Sequence, residues 1–249
     1  MISPLIRKVE YKERIYRNSI KDRDLVSFQV REGESDLYIR ANQNLRYYAQ
    51  YFLSKFRREI EDYIKIYPLF KDTLLPYSQD INAPKIIRSM IEAASRCGVG
   101  PMAAVAGAVA EFIGKALLHY STEIIVENGG DIFIKSKKTR KVNIFAGESI
   151  LSERIILKIN AQENWIGVCT SSGTIGPSLS FGTADAVTVI SNSVLFSDAA
   201  ATAIGNLIKT KKDIRKGLNY AQKIKGIKGI FIIKDDQVGI WGDVDFSVI

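Results

Sequence analysis

The chain has 249 residues, enough for one large domain or two small ones with an ample core. Hydrophobic residues make up 46% of it and charged residues 25%, a composition that excludes an intrinsically disordered chain. The formal net charge of +8 favours anionic partners such as phosphorylated ligands, nucleic acid or a membrane surface. Because no nucleic-acid motif is present and the basic residues are scattered among turns, a lysine-rich solvated surface is preferred over a nucleic-acid site.

The cysteine count and the N-terminal region predict a cytoplasmic protein. The two cysteines, Cys97 and Cys169, stand in different local contexts, so no disulfide framework is indicated. Charged residues precede any apolar run at the N-terminus, which argues against a secretory signal. The most apolar stretch, Val99–Leu118, is interrupted by Glu111 and Lys115, as expected of a buried helix rather than a membrane span.

The apolar pattern divides the chain into three parts of one compact domain. Residues 1–41 are predicted as strands, residues 42–120 as a helical block, and residues 121–249 as a sheet-rich part that carries the polar motifs. The predicted helices are residues 42 or 44 to 67, Pro84–Cys97, Pro101–Leu118, Ser197–Ile208 and Asp213–Lys223, and the predicted strands lie within Leu5–Ala41 (Val26–Arg31 and Leu37–Arg40 as a hairpin) and at Glu123–Glu127, Asp131–Lys135, Val142–Ala146, Ile155–Asn160, Trp165–Cys169, Ala186–Ile190, Ile230–Lys234 and Gln237–Trp241.

These elements define the fold class. Strands outnumber helices and the helices cluster in blocks, so we expect an α+β protein in which helices cover mixed or antiparallel sheets. The Ala- and Gly-rich helix Pro101–Leu118 has a nearly bare surface, which predicts close packing against another backbone element. Such bare helix and edge-strand surfaces leave room for a homodimer or for a protein partner that the sequence does not identify.

Small and polar residues are densest between residues 165 and 208. The turn Thr170–Gly173 is predicted to leave backbone N–H groups open to a ligand. Ser197 is predicted as the N-cap of the following helix, with Asp198 in its first turn. Asp198 and Thr202 are four residues apart and therefore project from one face of that helix. An acid and a hydroxyl at this spacing predict a site for a hard cation such as Mg²⁺.

Three segments in this part of the chain resemble motifs of the ApbE superfamily, whose well-known members are flavin transferases. Ser197–Ala203 is similar to the superfamily's Asp-x-x-x-Thr helix, Val126–Asp131 to its Asn-x-Gly-Gly-Asp turn, and Thr170–Gly173 to its Thr-Ser-Gly turn. The blocks Gly98–Ala103 and Cys169–Gly173 most resemble the short ApbE-like branch of archaea and some bacteria. The resemblance covers roughly the C-terminal two thirds of the chain.

The resemblance implies a two-layer ApbE-like fold with an internal duplication, a small phosphorylated ligand related to flavins or nucleotides (FAD or FMN), bound Mg²⁺, and transferase chemistry. Asp198 and Thr202 would hold the metal. The residues that would contact the ligand are Asn128, Gly129, Gly130, Asp131, Thr170, Ser171, Ser172 and Gly173.

One departure from the superfamily pattern bears on the reaction. Flavin transferases carry a His-x-x-Asp-Pro-x-Thr-Gly segment after the Thr-Ser-Gly turn, whereas this chain has Gly176–Asp185 there, without a histidine. The segment still offers hydroxyls, and Asp185 could recover the carboxylate role. The sequence therefore favours ligand binding over ordinary transfer of FMN to a threonine of another protein.

Cys169 gives a second hypothesis. A thiol beside open N–H groups is stabilised as a thiolate, so Cys169 is a candidate nucleophile for a sulfur carrier or sulfur-transfer protein of sulfur assimilation, with a small buried hydrophobe as the alternative reading. The sole histidine, His119, is explained by a helix C-terminus, and one histidine with two cysteines gives no zinc signature. A scaffold that kept the fold without the chemistry is the third hypothesis.

Overall fold

The computed structural model describes residues 24–174 and 180–249. Short 3-10 turns at Pro101–Ala104 and Lys211–Asp213 precede the fourth and sixth helices. The helices are α1 (Arg46–Ile66), α2 (Leu69–Asp72), α3 (Lys85–Cys97), α4 (Val105–Leu117), α5 (Val194–Gly205) and α6 (Ile214–Ala221). The strands are β1 (Val26–Glu32), β2 (Ser35–Ala41), β3 (Ile124–Asn128), β4 (Asp131–Lys135), β5 (Arg140–Asn143), β6 (Ile155–Ile159), β7 (Ile166–Ser171), β8 (Ala186–Ser191), β9 (Ile227–Lys234), β10 (Gln237–Gly242) and β11 (Phe246–Val248).

The strands form two sheets. The larger has the order β1-β2-β3-β4-β7-β8-β9-β10 and the smaller the order β11-β6-β5. Neighbouring strands in both sheets run antiparallel. Together with the helices, this arrangement confirms the predicted α+β class.

The large sheet is covered on both faces at its centre. On one face, Val126 and Val189 belong to the core that the sheet forms with α1, α3, α4 and α5. On the other face, Ile125 and Ile134 pack with Leu157 of the small sheet. Every residue of β3 and β8 is buried, polar ones such as Glu127 and Thr188 included, as expected of strands covered on both faces. The predicted layer of helices on a sheet is confirmed, and the small sheet adds a further layer.

The start of α5 differs from its prediction. The helix begins at Val194, and its N-cap is Ser193, whose Oγ accepts a hydrogen bond from the Phe196 N–H. Ser197, the predicted N-cap, is a buried residue inside the helix and shares a hydrogen bond of 2.8 Å with the Ser191 hydroxyl. Asp198 therefore lies in the second turn, not the first. The prediction failed because Ser193 and Ser197 are four residues apart and both can cap a helix.

Three other predicted boundaries need correction. α1 begins after Leu45 and its cap residue makes no side-chain bond, although Asn44 does accept a hydrogen bond from the Arg46 N–H at 3.0 Å. β5 lies at Arg140–Asn143 rather than Val142–Ala146. α5 ends at Gly205 rather than Ile208. The strands predicted before residue 24 lie outside the described residues. Within the described ranges, no single helix is long and apolar enough to cross a membrane; only the pair Lys85–Cys97 and Pro101–Leu117, bent by 104°, meets that test together.

Glycines let α4 approach its neighbours closely, as its bare surface predicted. A Cβ built on Gly107 would lie 2.6 Å from the Val194 carbonyl oxygen of α5. A Cβ built on Gly114 would lie 2.4 Å from the Phe133 ring of the large sheet. Real side-chain carbons do not approach this closely, so α4 can occupy its position only without side chains at these two residues.

We predict that Gly114→Ala destabilises the fold by about 1–3 kcal/mol, because overpacking a well-packed core costs that much. Gly205→Ala in α5 is the matched control, since its new Cβ would meet nothing closer than 3.7 Å and alanine favours a helix. The control should be neutral or slightly stabilising. Urea denaturation of both variants measures the difference, and equal stabilities would contradict the close approach.

Candidate functional site

The hairpin between β3 and β4 forms one wall of the candidate site. Asn128 pairs with Asp131, so Gly129 and Gly130 make a two-residue turn, and Gly129 has a φ of +69° that favours glycine. The Gly130 carbonyl accepts a hydrogen bond of 2.9 Å from the Thr170 N–H of β7. A Cβ on Gly130 would lie 2.5 Å from the Thr170 carbonyl oxygen. The second glycine therefore lets the hairpin tip contact the end of β7.

The start of α4 joins this hairpin to α5. Asn128 donates from its side-chain amide to the Ala106 carbonyl at 3.1 Å. The Gly107 N–H donates to Oδ2 of Asp198 at 2.8 Å. A Cβ on Gly107 would come within 2.9 Å of Cβ of Asp198. The adjacent residues Ala106 and Gly107 thus join two of the sequence motifs, the Asn128–Asp131 hairpin and the helix that carries Asp198.

Two carboxylates and a thiol lie together at this junction. Asp131 is the cross-strand partner of Cys169 in the β4–β7 pairing. Burial, and then the Asp131 charge, raise the pKa of Asp198 well above its usual value, although Asp198 keeps partial solvent exposure. The charge of Asp131 raises the pKa of both Cys169 and Asp198, so the three side chains are neighbours. The structure therefore brings together Asp131, Cys169 and Asp198 from the three motifs.

Thr202 lies one helical turn after Asp198 on α5 and is partly exposed. Within residues 24–174 and 180–249, no cluster of three or more His, Cys, Asp or Glu side chains has the arrangement of a metal site. A cation here would need hydroxyl, carbonyl or water oxygens besides the two acids. Mg²⁺ accepts such a set, because it is usually held by one or two carboxylates and keeps several waters.

The Thr170–Gly173 turn is less open than its sequence predicted. The Thr170 N–H is paired with the Gly130 carbonyl and the Gly173 N–H with the Ala184 carbonyl at 2.8 Å. The Thr170 hydroxyl lies 2.8 Å from that of Thr188. The expected cradle of open N–H groups is therefore wrong for Thr170 and Gly173, since the strand ladder and the following loop use their amides. Ser171 and Ser172 remain half-buried beside it.

Asp185 directly precedes β8, next to the end of β7, but its carboxylate contacts the β9–β10 turn. Its carboxylate accepts a hydrogen bond from the Asp235 N–H in the β9–β10 turn, and Lys234 Nζ is 4.0 Å away. The residue is buried, and its own N–H donates to the Ile233 carbonyl. These contacts give Asp185 a role in holding the turn. Residues 176–179 of the Gly176–Asp185 segment, which were expected to offer hydroxyls, lie outside the described ranges.

Cys169 is fully buried, and its surroundings oppose a thiolate. Its Sγ lies 3.3 Å from the Val194 carbonyl oxygen. Burial raises the pKa of Cys169 well above its usual value, and the charges of Asp131 and Asp198 raise it further. The expected activation by N–H groups is thus outweighed by desolvation and two acids. Cys97 is also buried, and burial raises its pKa to about 12.

Glu111 is a supporting residue that sequence reasoning took only as an interruption of an apolar stretch. This buried carboxylate on α4 accepts hydrogen bonds from the Val194 N–H at 2.6 Å and the Ser193 hydroxyl at 3.0 Å. Its other oxygen pairs with Lys115, whose Nζ lies 4.5 Å from the centre of the Trp165 ring. A carboxylate at a helix N-terminus complements both the open amides and the helix dipole. Glu111 therefore fixes the start of the helix that carries Asp198. An acid four residues before a lysine inside an apolar helix was the only available signal.

A cavity of about 510 Å³ lies beside Glu111, away from the motif junction. Its walls come from α1, α3, α4 and the start of α5, and include Phe56, Phe112 and Phe196. None of the motif residues predicted to bind a ligand or metal lines it. We place the candidate site at the junction because the motif residues that perturb one another lie there, whereas the acids of the cavity, Glu59, Glu92 and Glu111, are interspersed with four cations.

The fold and the converging motifs define an ApbE-like protein. A variant of the flavin transferase ApbE from Vibrio cholerae matches with a TM-score of 0.58 at 13% identity, covering 87% of this chain and 96% of that chain. The apo form of the flavinyl transferase ApbE from Pseudomonas stutzeri matches with a TM-score of 0.57 at 14% identity, covering 87% and 93%. At these identities the similarity concerns the fold.

The chain belongs to the family AbpE bacteria, whose model matches residues 17–236. The UPF0280 protein of Methanothrix thermoacetophila is 42% identical over 190 residues, which are 76% of this chain and 79% of the relative. The UPF0280 protein of Methanococcus aeolicus is 42% identical over 193 residues, 76% and 78% of the two chains. The expected ApbE-like branch is confirmed.

We predict that native Cys169 does not react with a thiol reagent at pH 8, because too little of it is thiolate and its sulfur is inaccessible. The Cys97→Ala variant isolates the Cys169 signal in a colorimetric thiol titration. One thiol per chain should appear only after denaturation in guanidinium. Stoichiometric reaction of the folded variant within seconds would contradict the buried position.

We predict that Asp198→Asn stabilises the metal-free protein at pH 8. A folded-state pKa above the unfolded one makes ionised Asp198 a cost, which is fully present above the folded pKa and disappears as the pH falls below the unfolded value. The gain in Tm should therefore shrink towards zero near pH 4. Among the described residues, Asp131, Cys97 and Cys169 are the titratable groups whose charges interact with that of Asp198.

Asp213→Asn is the matched control with the opposite sign. The Thr210 and Lys209 N–H groups lower the pKa of Asp213, so its charge stabilises the fold above the unfolded pKa. The Tm of this variant should be lower than that of the wild type at pH 8, and the two values should converge as the pH falls towards 4. Thermal melts in EDTA across this pH range compare the two, and a loss of Tm at pH 8 in both variants would refute the carboxylate repulsion.

Proposed function

We propose that the protein binds Mg²⁺ together with a phosphorylated flavin- or nucleotide-like ligand at the junction of the Asn128–Asp131 hairpin, the end of β7 and α5. Within this proposal it is a divergent ApbE-like protein rather than an ordinary transferase of FMN from FAD to another protein. The observation that carries the proposal is the pair of interacting carboxylates, Asp131 and Asp198. The fold shared with the flavin transferases supports the class of ligand.

The carboxylate pair supports a cation because each acid raises the cost of ionising the other. A divalent cation would cancel that repulsion and leave both groups ionised. The metal would be held by Asp198 and Thr202, with the Asp131 carboxylate adjacent. When bound, it would neutralise charge on the phosphate groups of the ligand. The Gly107 N–H, bonded to Oδ2, would hold the Asp198 side chain in place.

The ligand side of the proposed site is built from small residues. Gly130 is exposed at the hairpin tip, so a phosphate or ring could reach its backbone from the side opposite Thr170. Ser171 and Ser172 would offer hydroxyls from the neighbouring strand end. Asn128 has its side-chain amide engaged with Ala106, so its part is to fix the hairpin rather than to donate to the ligand.

The position of the single histidine supports divergence from ordinary flavin transfer. His119 follows the last turn of α4, whereas Gly107 at the other end of α4 contacts Asp198. Ten residues of helix separate Gly107 from Leu117, a distance of about 15 Å. His119 is also exposed. It is therefore not positioned to exchange a proton with a ligand at the motif junction.

The sulfur-carrier hypothesis is not favoured by any contact of Cys169. A carrier thiol must ionise and reach a second protein, whereas this thiol is enclosed between α5 and the sheet beside two acids. We interpret Cys169 as a small apolar residue that packs under the carboxylates.

We predict that Mg²⁺ raises the Tm of the wild type at pH 8 and gives a saturable isotherm by calorimetry, since a ligand at 100 times its Kd stabilises a fold by about 2.7 kcal/mol. Asp198→Asn should weaken Mg²⁺ binding by more than about tenfold, the loss typical even of residues that only support a metal ligand. Asp213→Asn should bind as the wild type does.

The ligand is tested with FAD in the presence and absence of Mg²⁺. Tighter FAD binding with Mg²⁺, followed by flavin fluorescence, supports the shared site, and chromatography for released FMN reports any turnover. Mg²⁺ binding that survives Asp198→Asn would place the metal elsewhere. Absence of both Mg²⁺ and FAD binding would overturn the proposed function.

A further inference from the structure

The positive charge of the chain is concentrated in one segment. Residues 209–228 contain eight lysines and arginines and one acid, a net charge of +7, whereas the whole chain has a formal charge of +8. The rest of the protein therefore has a net charge of +1, and its acids offset shorter basic runs such as Lys135–Lys141. The sequence-based expectation that the basic residues are scattered does not describe this segment.

The structure turns this charge outwards on α6. The helix buries Ile214, Gly217 and Ala221, so the charged positions face solvent. The segment's one acid, Asp213, accepts hydrogen bonds from Lys209 N–H and the Thr210 amide and hydroxyl. Six exposed cations form no ion pair with residues in 24–174 or 180–249, and we call them the α6 face: Lys209, Lys212, Arg215, Lys216, Lys223 and Lys225. Lys211, by contrast, pairs with Asp236 of the β9–β10 turn.

One end of the α6 face is extended by a fixed guanidinium. Arg96 at the end of α3 stacks on the Phe196 ring at 4.1 Å and donates to the Lys225 carbonyl at 2.8 Å. Gly226 has a φ of +112°, and a Cβ there would lie 2.9 Å from Nη2 of Arg96. The loop that contains Lys225 and Gly226 therefore leaves room for the Arg96 guanidinium only because residue 226 has no side chain. A ring and a carbonyl hold this charge in place, rather than an acid that would neutralise it.

Arg96 lines a surface depression of about 420 Å³ whose wall is cationic. Its five lining residues include three cations and no acid: Arg96, Tyr220, Lys223, Ile224 and Lys225. The Tyr220 hydroxyl lies 3.4 Å from the Cys97 carbonyl oxygen, which fixes the ring beside Arg96. Such a wall matches a phosphate group, which accepts hydrogen bonds from a guanidinium in a fork.

We propose that the α6 face, with Arg96, binds the phosphate backbone of a nucleic acid without regard to sequence. Contacts to phosphates need only cations, whereas a protein interface is depleted of lysine and depends on apolar or aromatic anchors. The depression at one end of the α6 face adds two partly apolar residues, Tyr220 and Ile224. α6 alone is about 12 Å long and the cations of the face continue past both of its ends, so the face spans several phosphates of a duplex, which carries one charge per about 1.7 Å of its axis.

This surface is separate from the motif junction. The junction carries Asp131 and Asp198, whose charges repel a polyanion, and no residue of the α6 face belongs to it. The proposal therefore does not rest on Mg²⁺ or flavin binding, and the outcome of those tests leaves it unaffected.

The test measures the salt dependence of binding to a labelled mixed-sequence duplex, as DNA and as RNA, by fluorescence anisotropy. Six phosphate contacts would give a slope of log K against log salt of about −5. The triple variant Lys212→Gln, Arg215→Gln, Lys216→Gln should weaken binding more than tenfold at low salt and reduce the slope by about 3. Arg96→Gln should weaken binding with a smaller change in slope.

A second triple variant, Arg58→Gln, Lys71→Gln, Arg88→Gln, is the matched control, because it removes the same charge from exposed positions of the helical block. It should keep the slope and most of the affinity. Circular dichroism and Tm confirm that both triple variants fold. The proposal is overturned by equal losses in the two variants, by the absence of duplex binding at low salt, or by binding to anionic phospholipid vesicles without binding to either duplex.

Discussion

The contact between α4 and α5 is the constraint on which the candidate site depends. Gly107 allows the backbone of α4 to touch α5, and its N–H orients Asp198. One turn later, Glu111 caps the first amides of α5 with a buried carboxylate. A buried acid is costly unless it is fully paired, and here the helix end and Lys115 pair it. The two contacts fix both the position and the rotation of α5, and in this position Asp198 is close enough to Asp131 for its pKa to be raised by that charge.

Much of the fold could be predicted from the sequence where local chemistry and tertiary packing agree. The Asn128–Asp131 turn requires glycine at a left-handed position, and two glycines between alternating strands leave few other structures. The end of α3 at Gly98, with a φ of +71°, follows from the same rule. The motif residues Asp131, Cys169 and Asp198 also meet, although 67 residues of chain separate the first from the last.

The errors arose where two residues satisfied the same local rule, or where burial decided the chemistry. Ser193 and Ser197 both fit an N-cap, and only the buried hydrogen bond of Ser197 with Ser191 separates them. Cys169 lies next to a turn of serines and a glycine, a pattern that suggests an exposed thiol. α5 encloses the thiol through tertiary packing. The pKa of Cys169 is therefore raised, whereas the sequence predicted that it would be lowered. Local sequence does not indicate which of several neighbours will cover a side chain.

The distribution of charge shows why the net charge of +8 says little about the candidate site. The acids that perturb each other lie in the interior, at the junction between Asp131 and Asp198, where a low dielectric strengthens their repulsion. The six cations of the α6 face lie at the surface, where water and salt screen them. An anionic small molecule is therefore not drawn to the junction by the protein's own charge, since the nearest charges there are negative. An anionic ligand that binds at the junction therefore needs a cation there to supply positive charge. That cation stabilises the two ionised acids most strongly where water screens them least.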